Sequence, residues 1–341
     1  MTNTNPRATV VIPNWNGAHH LPDCLDSLQA QTFSDFETIV VDNGSSDRSL
    51  ELLRNDYPWV QVIENGTNLG FPAAVNAGIR SSQAEYIVLL NNDTRAEPDW
   101  LEQLIDGMKD FPEASFAACK MLLFDPPHRI DSAGDRFCWR NGSGMNIGAG
   151  QPREAHDQPA WVFGACAGAA IYRRSLFEDI GLFDEDFFLI FEDVDLDLRA
   201  VVAGHRCIYL PNAVVYHKRG ASTDLTSPVI TARALRNCIW VAWKNLPPAL
   251  LTLWSITYSA NLLFRTMRTL ARRYSPGNSP IAADDGRSDH SRLPSYRKAL
   301  AEALSRLLEK RRANAHHRKL GSIQIWSRLR RASTPAEPGG K

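Results

Sequence analysis

No C-x-x-C pair occurs in the sequence, no two of its six cysteines (Cys24, Cys119, Cys138, Cys166, Cys207, Cys238) stand at metal-ligand spacing, and Met1 to Arg7 carry no apolar run. The first two absences argue against a structural zinc site and a disulfide framework, and the third against a signal peptide, so a reducing, cytoplasmic setting is expected. Net charge is missing as well, with 38 Lys+Arg against 38 Asp+Glu in 341 residues. At 44% hydrophobic and 22% charged, the chain is neither disordered nor collagen-like. Its length suits one large α/β domain with an appendage, or two ordinary domains.

The neutrality is a cancellation. Residues 265–341 carry 18 Lys+Arg and 6 Asp+Glu, which leaves 20 and 32 for residues 1–264. An acidic body suits divalent-metal handling, and a basic end suits a phosphate-rich surface such as anionic lipid, unless it is a solvated tail. Nucleic acid is not expected as a partner, because Arg297 to Arg318 contains no interleaved aromatics.

Short apolar runs rich in β-branched residues recur at Ala8–Ile12, Thr38–Val41, Val60–Ile63 and Tyr86–Leu90, each followed by polar turn residues and a helix-period segment. Leu21, Leu25 and Leu28 share one helical face; Ser46 or Asp47 can cap a helix through Leu50 and Leu53; Pro98 opens another with Leu101, Leu104 and Ile105. This alternation predicts an α/β fold with a parallel sheet covered by helices on both faces. Ligands of such sheets bind beyond the carboxyl ends of the strands. Those ends read Pro13-Asn14-Trp15-Asn16-Gly17, Asp42-Asn43-Gly44-Ser45-Ser46-Asp47, Asn68-Leu69-Gly70-Phe71 and Asn91-Asn92-Asp93-Thr94. Taken singly, each is an ordinary turn.

The second half has glycine clusters at Gly142–Gly150 and Gly164–Gly168, then an acidic block from Asp184 to Asp197. From Glu192 the pattern turns helical, with Gly204 placed to end the helix. Glu192 and Asp193 fall in its first turn, where the helix dipole favours their ionised forms. Leu246 to Phe264 carries no charge and is followed by Arg265, Arg268, Arg272 and Arg273. A helix from Pro248 to Phe264 would be about 25 Å long, short of a hydrocarbon core of roughly 30 Å. An interfacial helix with Trp254 and Tyr258 at the boundary is expected, with a packing helix as the alternative. Residues 274–294 read as a linker, and Tyr296–His317 as a basic amphipathic helix.

Together these strand-end motifs resemble glycosyltransferase family 2, the inverting enzymes with the GT-A fold, and within it the bacterial rhamnosyltransferase-like members. The resemblance covers about Thr9 to Thr223 and rests on Val10 to Gly17, Val40 to Asp47, Asn68 to Phe71, Leu90 to Thr94, Phe191 to Asp195 and Tyr216-His217, in that order. It implies a Rossmann-like, mixed and mainly parallel sheet flanked by helices, with a C-terminal helical extension. The domains it implies are a catalytic domain at 1–225, divided into a nucleotide-sugar half (1–110) and an acceptor half (111–225), a helical segment at 226–273, the linker, and a basic helix and tail at 295–341.

For the site, the resemblance places Pro13, Asn16, Asp42, Asn68, Gly70, Asn76, Asn91 and Asn92 around a dTDP- or UDP-sugar donor. A helix or turn cap is the competing role for Asp42. Asn91-Asn92-Asp93 stands at the family's D-x-D position, whose last carboxylate holds Mg²⁺ or Mn²⁺. With an amide at Asn91, Asp93 carries more of the coordination, joined by His217. Inversion needs a base near the acceptor hydroxyl. Asp193 is assigned to it, with Glu192 as orienter and Asp195 as the alternate. Trp161, Gly164, Ala165 and Cys166 resemble the acceptor side, or a packed strand and turn with a core tryptophan. The expected activity is hexosyl transfer, L-rhamnose being one donor sugar, to a saccharide or polyprenyl-linked saccharide in cell-surface polysaccharide synthesis, by a protein peripheral on the inner face of the membrane. A catalytically silent nucleotide-sugar-binding scaffold is the alternative.

Overall fold

A computed structural model describes residues 5–218, 228–273, 306–330 and 333–335. In chain order the elements are β1 (Ala8–Asn14), α1 (Leu21–Gln29), β2 (Phe36–Asp42), α2 (Ser49–Asp56), β3 (Gln61–Glu64), α3 (Phe71–Ser81), β4 (Tyr86–Leu90), β5 (Thr94–Ala96), α4 (Trp100–Asp110) and β6 (Phe116–Leu123). There follow β7 (Ile130–Ser132), β8 (Asp135–Cys138), β9 (Ser143–Asn146), β10 (Ala160–Val162), β11 (Ala169–Arg173), α5 (Arg174–Ile180), α6 (Glu192–Ala203) and β12 (Cys207–His217). The C-terminal part adds α7 (Pro228–Asn245), α8 (Pro248–Arg273), α9 (306–316), α10 (Ser322–Arg330) and β13 (Ser333–Pro335).

The strands form one mixed sheet in the order β13-β10-β12-β6-β11-β4-β1-β2-β3, with β5 on β12, β7 on β6, and a separate β8–β9 hairpin. Its N-terminal half, β3-β2-β1-β4, is wholly parallel, as βαβ connections require, while β11 joins β4 and β6 antiparallel. The four expected strands are all present, each within two residues of its expected ends.

Alternation along β1 sends Val10 and Ile12 to one face and Val11 to the other, and both faces are buried. The first face packs on Leu21, Leu25 and Leu28 of α1 and Trp100, Leu101, Leu104 and Ile105 of α4. The second packs on Ala74, Val75 and Ile79 of α3, Leu176 of α5 and Leu196 of α6. A third cluster joins α6 to the C-terminal extension through Leu198, Val201, Val241, Leu246, Trp254, Ile325 and Leu329.

That third cluster corrects one expectation. Trp254 does not stand at a water-facing boundary: it is buried and stacks on Tyr258 at 4.8 Å, because α8 needs an apolar face against α7 and α10. Among the described residues no helix is long and apolar enough to cross a membrane. The expected linker at 274–294 and the first part of the expected basic helix, 295–305, lie outside the described residues.

Helix α3 approaches β1 closely enough that a Cβ at Gly78 would lie 2.3 Å from Val11 Cγ1. Gly78→Ala should therefore destabilise the chain by about 1–3 kcal/mol through overpacking. Urea unfolding would show a lower midpoint at unchanged slope, and adding Val11→Ala should recover part of the loss.

Candidate active site

The carboxyl ends of β1, β2 and β4 converge on a cavity of about 540 Å³. Of the residues expected around the donor, Pro13, Asn68, Gly70, Asn91 and Asn92 line it. The other lining residues are Asn14, Trp15, Asn43, Phe71, Phe188, Leu189, Ile230 and Arg233. Half-exposed Trp15 offers a flat apolar face, and Arg233 of α7 lies over the Phe188 ring at 4.3 Å with no ion pair among the described residues.

Asp42, Asn16 and Asn76 stand behind this wall instead of in it. The buried Asp42 carboxylate accepts from Asn14 Nδ2 at 3.1 Å and from the Ser45 amide at 2.9 Å, so it holds the loops that make the wall, in the turn-capping role. Asn16 turns its side-chain oxygen onto the Ser46 amide at 2.8 Å. Asn76, buried on the far side of α3, donates to the Phe183 carbonyl at 2.9 Å and accepts from the Phe183 amide at 3.1 Å.

The wall is a network of side-chain amides. Asn92 donates to Asn14 Oδ1 at 2.7 Å, and Asn43 donates to Asn68 Oδ1 at 3.0 Å and to the Gly70 carbonyl at 3.1 Å. Asn43 Oδ1 accepts in turn from the Leu69 amide at 3.1 Å. The sequence showed Asn14 and Asn43 inside the motifs, but turn propensity does not reveal which way such a side chain faces. Arg233 had no local signal at all.

Antiparallel pairing of β5 with β12 sets His217 opposite Thr94, and so next to Asp93. His217 Nδ1 bonds Asp131 Oδ2 at 2.7 Å, while Nε2 lies 3.5 Å from Asp93 Oδ1. Burial opposes the imidazolium, but the carboxylates of Asp131 and Asp93 outweigh it and raise the pKa to about 9. Asn91 Oδ1 is buried with no hydrogen-bond partner among the described residues. Among those residues no three His, Cys, Asp or Glu side chains converge as a ready-made metal cage. The donors that are present, Asp93 and His217 beside the Asn91 amide oxygen, fit an ion that takes its other ligands from phosphate and water. The Asp131 bond orients the ring as metal-binding histidines require.

Glu192 and Asp193 open α6. Asp193 Oδ1 accepts from the Val194 amide at 2.8 Å, and its Oδ2 lies 3.4 Å from the Ala167 amide. The 164–168 loop thus touches the acidic pair at one end, and at the other its Gly168 carbonyl accepts from the Asn91 amide at 2.8 Å. Burial raises both carboxyls above the ordinary range, Glu192 to about 8 with help from the Asp193 charge. This overturns the expectation that the helix dipole governs their ionisation. Asp135 is likewise raised to about 8 by burial and by Asp193, and burial pushes Asp197 well up.

Asp195, the expected alternate base, is buried in the interior and held by Arg199 at 3.0 Å and by Lys244 and Asn245 at 2.8 Å each. Of the expected acceptor group, Gly164 lies against the Asp197 carboxyl, Ala165 is buried, and the half-buried Cys166 directly precedes Ala167, whose amide lies near Asp193. Trp161 stands apart. It pairs with Ile208 near the start of β12, which lies opposite Ala117 of β6 while His217 lies opposite Leu123, on the order of 20 Å further along at about 3.3 Å per residue. There it packs edge-on to Phe111 beneath the Arg206 guanidinium, 3.4 Å away, in the structural role.

The profile of the family described as Glycosyl transferase family 2 matches residues 9–181. The N-acetylglucosaminyl-diphospho-decaprenol L-rhamnosyltransferase of Mycobacterium tuberculosis is 29% identical over 240 residues, covering 63% of this chain and 76% of that protein. The O-antigen biosynthesis protein RfbC of Myxococcus xanthus is 28% identical over 233 residues, 64% of this chain and 18% of that protein. Among solved structures, S. aureus TarS in complex with UDP superposes with a TM-score of 0.51 at 18% identity, over 85% of this chain and 78% of the other. GalNAc-T7 with UDP, GalNAc and Mn²⁺ superposes with a TM-score of 0.56 at 16% identity, over 70% and 49%. At those identities the two structures share the fold.

A divalent ion on His217 Nε2 would displace the proton held there. Mn²⁺ affinity should therefore rise on the order of tenfold per pH unit between about pH 6 and about pH 8, with about one proton released per ion. Calorimetry in buffers of different ionisation enthalpy reads both quantities, and a pH-independent affinity would reject His217 as a ligand.

Proposed function

The chain belongs to glycosyl transferase family 2, with the GT-A fold, and from that premise we propose that it is an inverting, divalent-metal-dependent hexosyltransferase acting on a lipid-linked saccharide in polysaccharide synthesis. The observation that carries the proposal is the cavity at the strand ends: amide-lined, of nucleotide-sugar size, and walled by Asn91 and Asn92, the residues that directly precede Asp93 of the Asp93–His217 pair. L-Rhamnose is the donor sugar to test first, since the mycobacterial relative is an L-rhamnosyltransferase acting on a decaprenol-linked substrate.

In this reading Trp15 stacks on the base, the Asn43 and Asn68 amides meet polar edges of the nucleoside, and Arg233 faces the diphosphate as a charge-matched partner. Asp93 and His217 would hold Mg²⁺ or Mn²⁺, which when bound neutralises charge growing on the departing nucleoside diphosphate. Asp193 accepts the proton of the acceptor hydroxyl as that oxygen bonds the anomeric carbon and the diphosphate leaves from the opposite face. Glu192, held protonated at neutral pH by burial and the Asp193 charge, limits the pair to one negative charge. The Cys166–Ala167 backbone borders the same space.

Ile256, Leu263, Phe264 and Met267 are each more than half exposed and share one face of α8, whose sequence also carries Arg265, Arg268, Arg272 and Arg273. Apolar face and basic residues on one helix suit attachment to the surface of an anionic bilayer, where a lipid-linked acceptor would be found.

Three measurements test these statements. A thermal-shift screen of dTDP-rhamnose, UDP-glucose, UDP-galactose and GDP-mannose should show a Mn²⁺-dependent stabilisation by one donor, lost in Asp93→Ala. Metal-independent binding with no turnover would favour a silent scaffold. Asp193→Asn should lower transfer by about 10²- to 10⁴-fold at unchanged donor affinity, and the wild-type acid limb should lie above the ordinary carboxylate value, since Asp193 must lose a proton whose pKa is raised. Flotation with phosphatidylglycerol vesicles should fall about tenfold or more in Leu263→Asp/Phe264→Asp; equal flotation would reject the α8 face.

A further inference from the structure

Between the donor cavity and the acidic pair runs the segment from Asp184 to Phe191. Phe188 and Leu189 form part of the cavity wall, and Glu192 and Asp193 follow directly. Phe188, Ile190 and Phe191 hold φ of +64°, +72° and +67°, a region that branched and aromatic side chains disfavour. A backbone of this kind persists only where its surroundings over-determine it.

Asn237 of α7 supplies that determination. Its side chain is wholly buried, and Nδ2 lies within donor distance of three carbonyls of the turn: Phe187 at 3.2 Å, Leu189 at 3.0 Å and Ile190 at 2.7 Å. The Asn237 oxygen accepts from Arg236 Nε at 3.0 Å and Nη2 at 2.8 Å, and Arg236 Nη2 also reaches the carbonyls of Asp186 and Phe187. Across the turn the Phe71 amide donates to the Phe188 carbonyl at 2.8 Å. Gly70, at φ +90°, permits this approach, because a Cβ there would lie 2.5 Å from that oxygen. At the amino end Asp184 is ion-paired with Lys244 and with Lys310 of α9. Ile230 and Arg233, which line the cavity, precede Asn237 by seven and four residues, on the same face of α7.

We propose that Asn237 is a positioning residue for the transfer reaction. By bonding the left-handed turn at 187–190, its amide fixes the Phe188–Leu189 wall against the donor and sets where α6 begins, and with it the place of Asp193. The inference rests on the transferase reading above. It adds that the geometry of donor wall and base is held from α7, outside the 9–181 region that the family profile matches.

The test uses the full chain. Asn237→Ala should raise the donor KM about tenfold and lower kcat about tenfold, as expected when reacting groups shift by about an ångström. Amide exchange in 184–191 should speed up at the same time. Val241→Ala, in the same apolar cluster, provides the control for a merely structural role: at a matched loss of Tm it should leave KM unchanged. Ile190→Gly lets the turn keep its conformation without a Cβ, so Asn237→Ala/Ile190→Gly should recover several-fold in kcat/KM over Asn237→Ala. Wild-type KM and kcat in Asn237→Ala, or a loss that only tracks the unfolded fraction as in Val241→Ala, would overturn the proposal. Should Asn237→Ala fail to fold, Asn237→Ser, which keeps one donor, carries the same comparison. Were the wild-type chain to turn over no donor, the transferase reading would fail. Exchange at 184–191 and UDP or dTDP binding by calorimetry would still report whether Asn237 holds the wall.

Discussion

The site depends on register at one edge of the sheet. Parallel pairing of β1 with β2 sets Asn14 level with Asp42, and pairing of β1 with β4 carries Asn92 to the same height. Asn14 then serves three partners, donating to Asp42 and Ser45 and accepting from Asn92. Each bond contributes only about 0.5–1.5 kcal/mol net, but a buried amide left without its partner costs about 1–3 kcal/mol. A slip of one residue would turn every one of these side chains to the opposite face. The polar network therefore locks the register that the apolar faces of the strands select.

The parts of the fold legible in the sequence are those where local and global signals agree. The four parallel strands follow from β-branched runs ending in turn residues, and α6 from its apolar spacing ahead of Gly204, which caps it. Five of the eight residues expected around a donor line the strand-end cavity, because a βα turn points its ends at the switch point of the sheet. Side-chain direction was not legible. Asp42 and Asn16 belong to the same motifs and Asn76 was expected beside them, yet each bonds a neighbouring segment behind the wall. Nor was long-range partnership: Trp161 was separated from the acidic pair by strand pairing, and Trp254 was buried by helices far along the chain.

The acidic pair shows how magnitudes decide between effects. A helix start favours a carboxylate by about 0.3–1 kcal/mol, less than one pKa unit, which is worth about 1.36 kcal/mol. Burial beside Asp135 and Asp197 works over several units. The expectation that the helix dipole favours ionised Glu192 and Asp193 thus gave the wrong sign, because the sequence does not reveal how far the folded chain buries the pair.

The backbone that leads into the acidic pair is itself costly. Non-glycine residues at positive φ cost on the order of 1–3 kcal/mol each, and three of them precede Glu192. Hydrogen bonds within 184–191, such as the Leu189 amide to the Phe187 carbonyl at 2.8 Å and the Phe188 amide to the Glu185 carbonyl at 3.1 Å, hold the turn only from inside. Compensation comes from Asn237, Arg236 and Lys244 of α7, with Lys310 of α9. The helices C-terminal to the catalytic sheet are thus required by the backbone geometry of the site, and their third apolar cluster is the structure through which that requirement is met. The parallel half of the sheet sets the asparagine wall of the cavity by register, whereas its Phe188–Leu189 wall and the acidic pair beyond it depend on residues more than forty positions downstream.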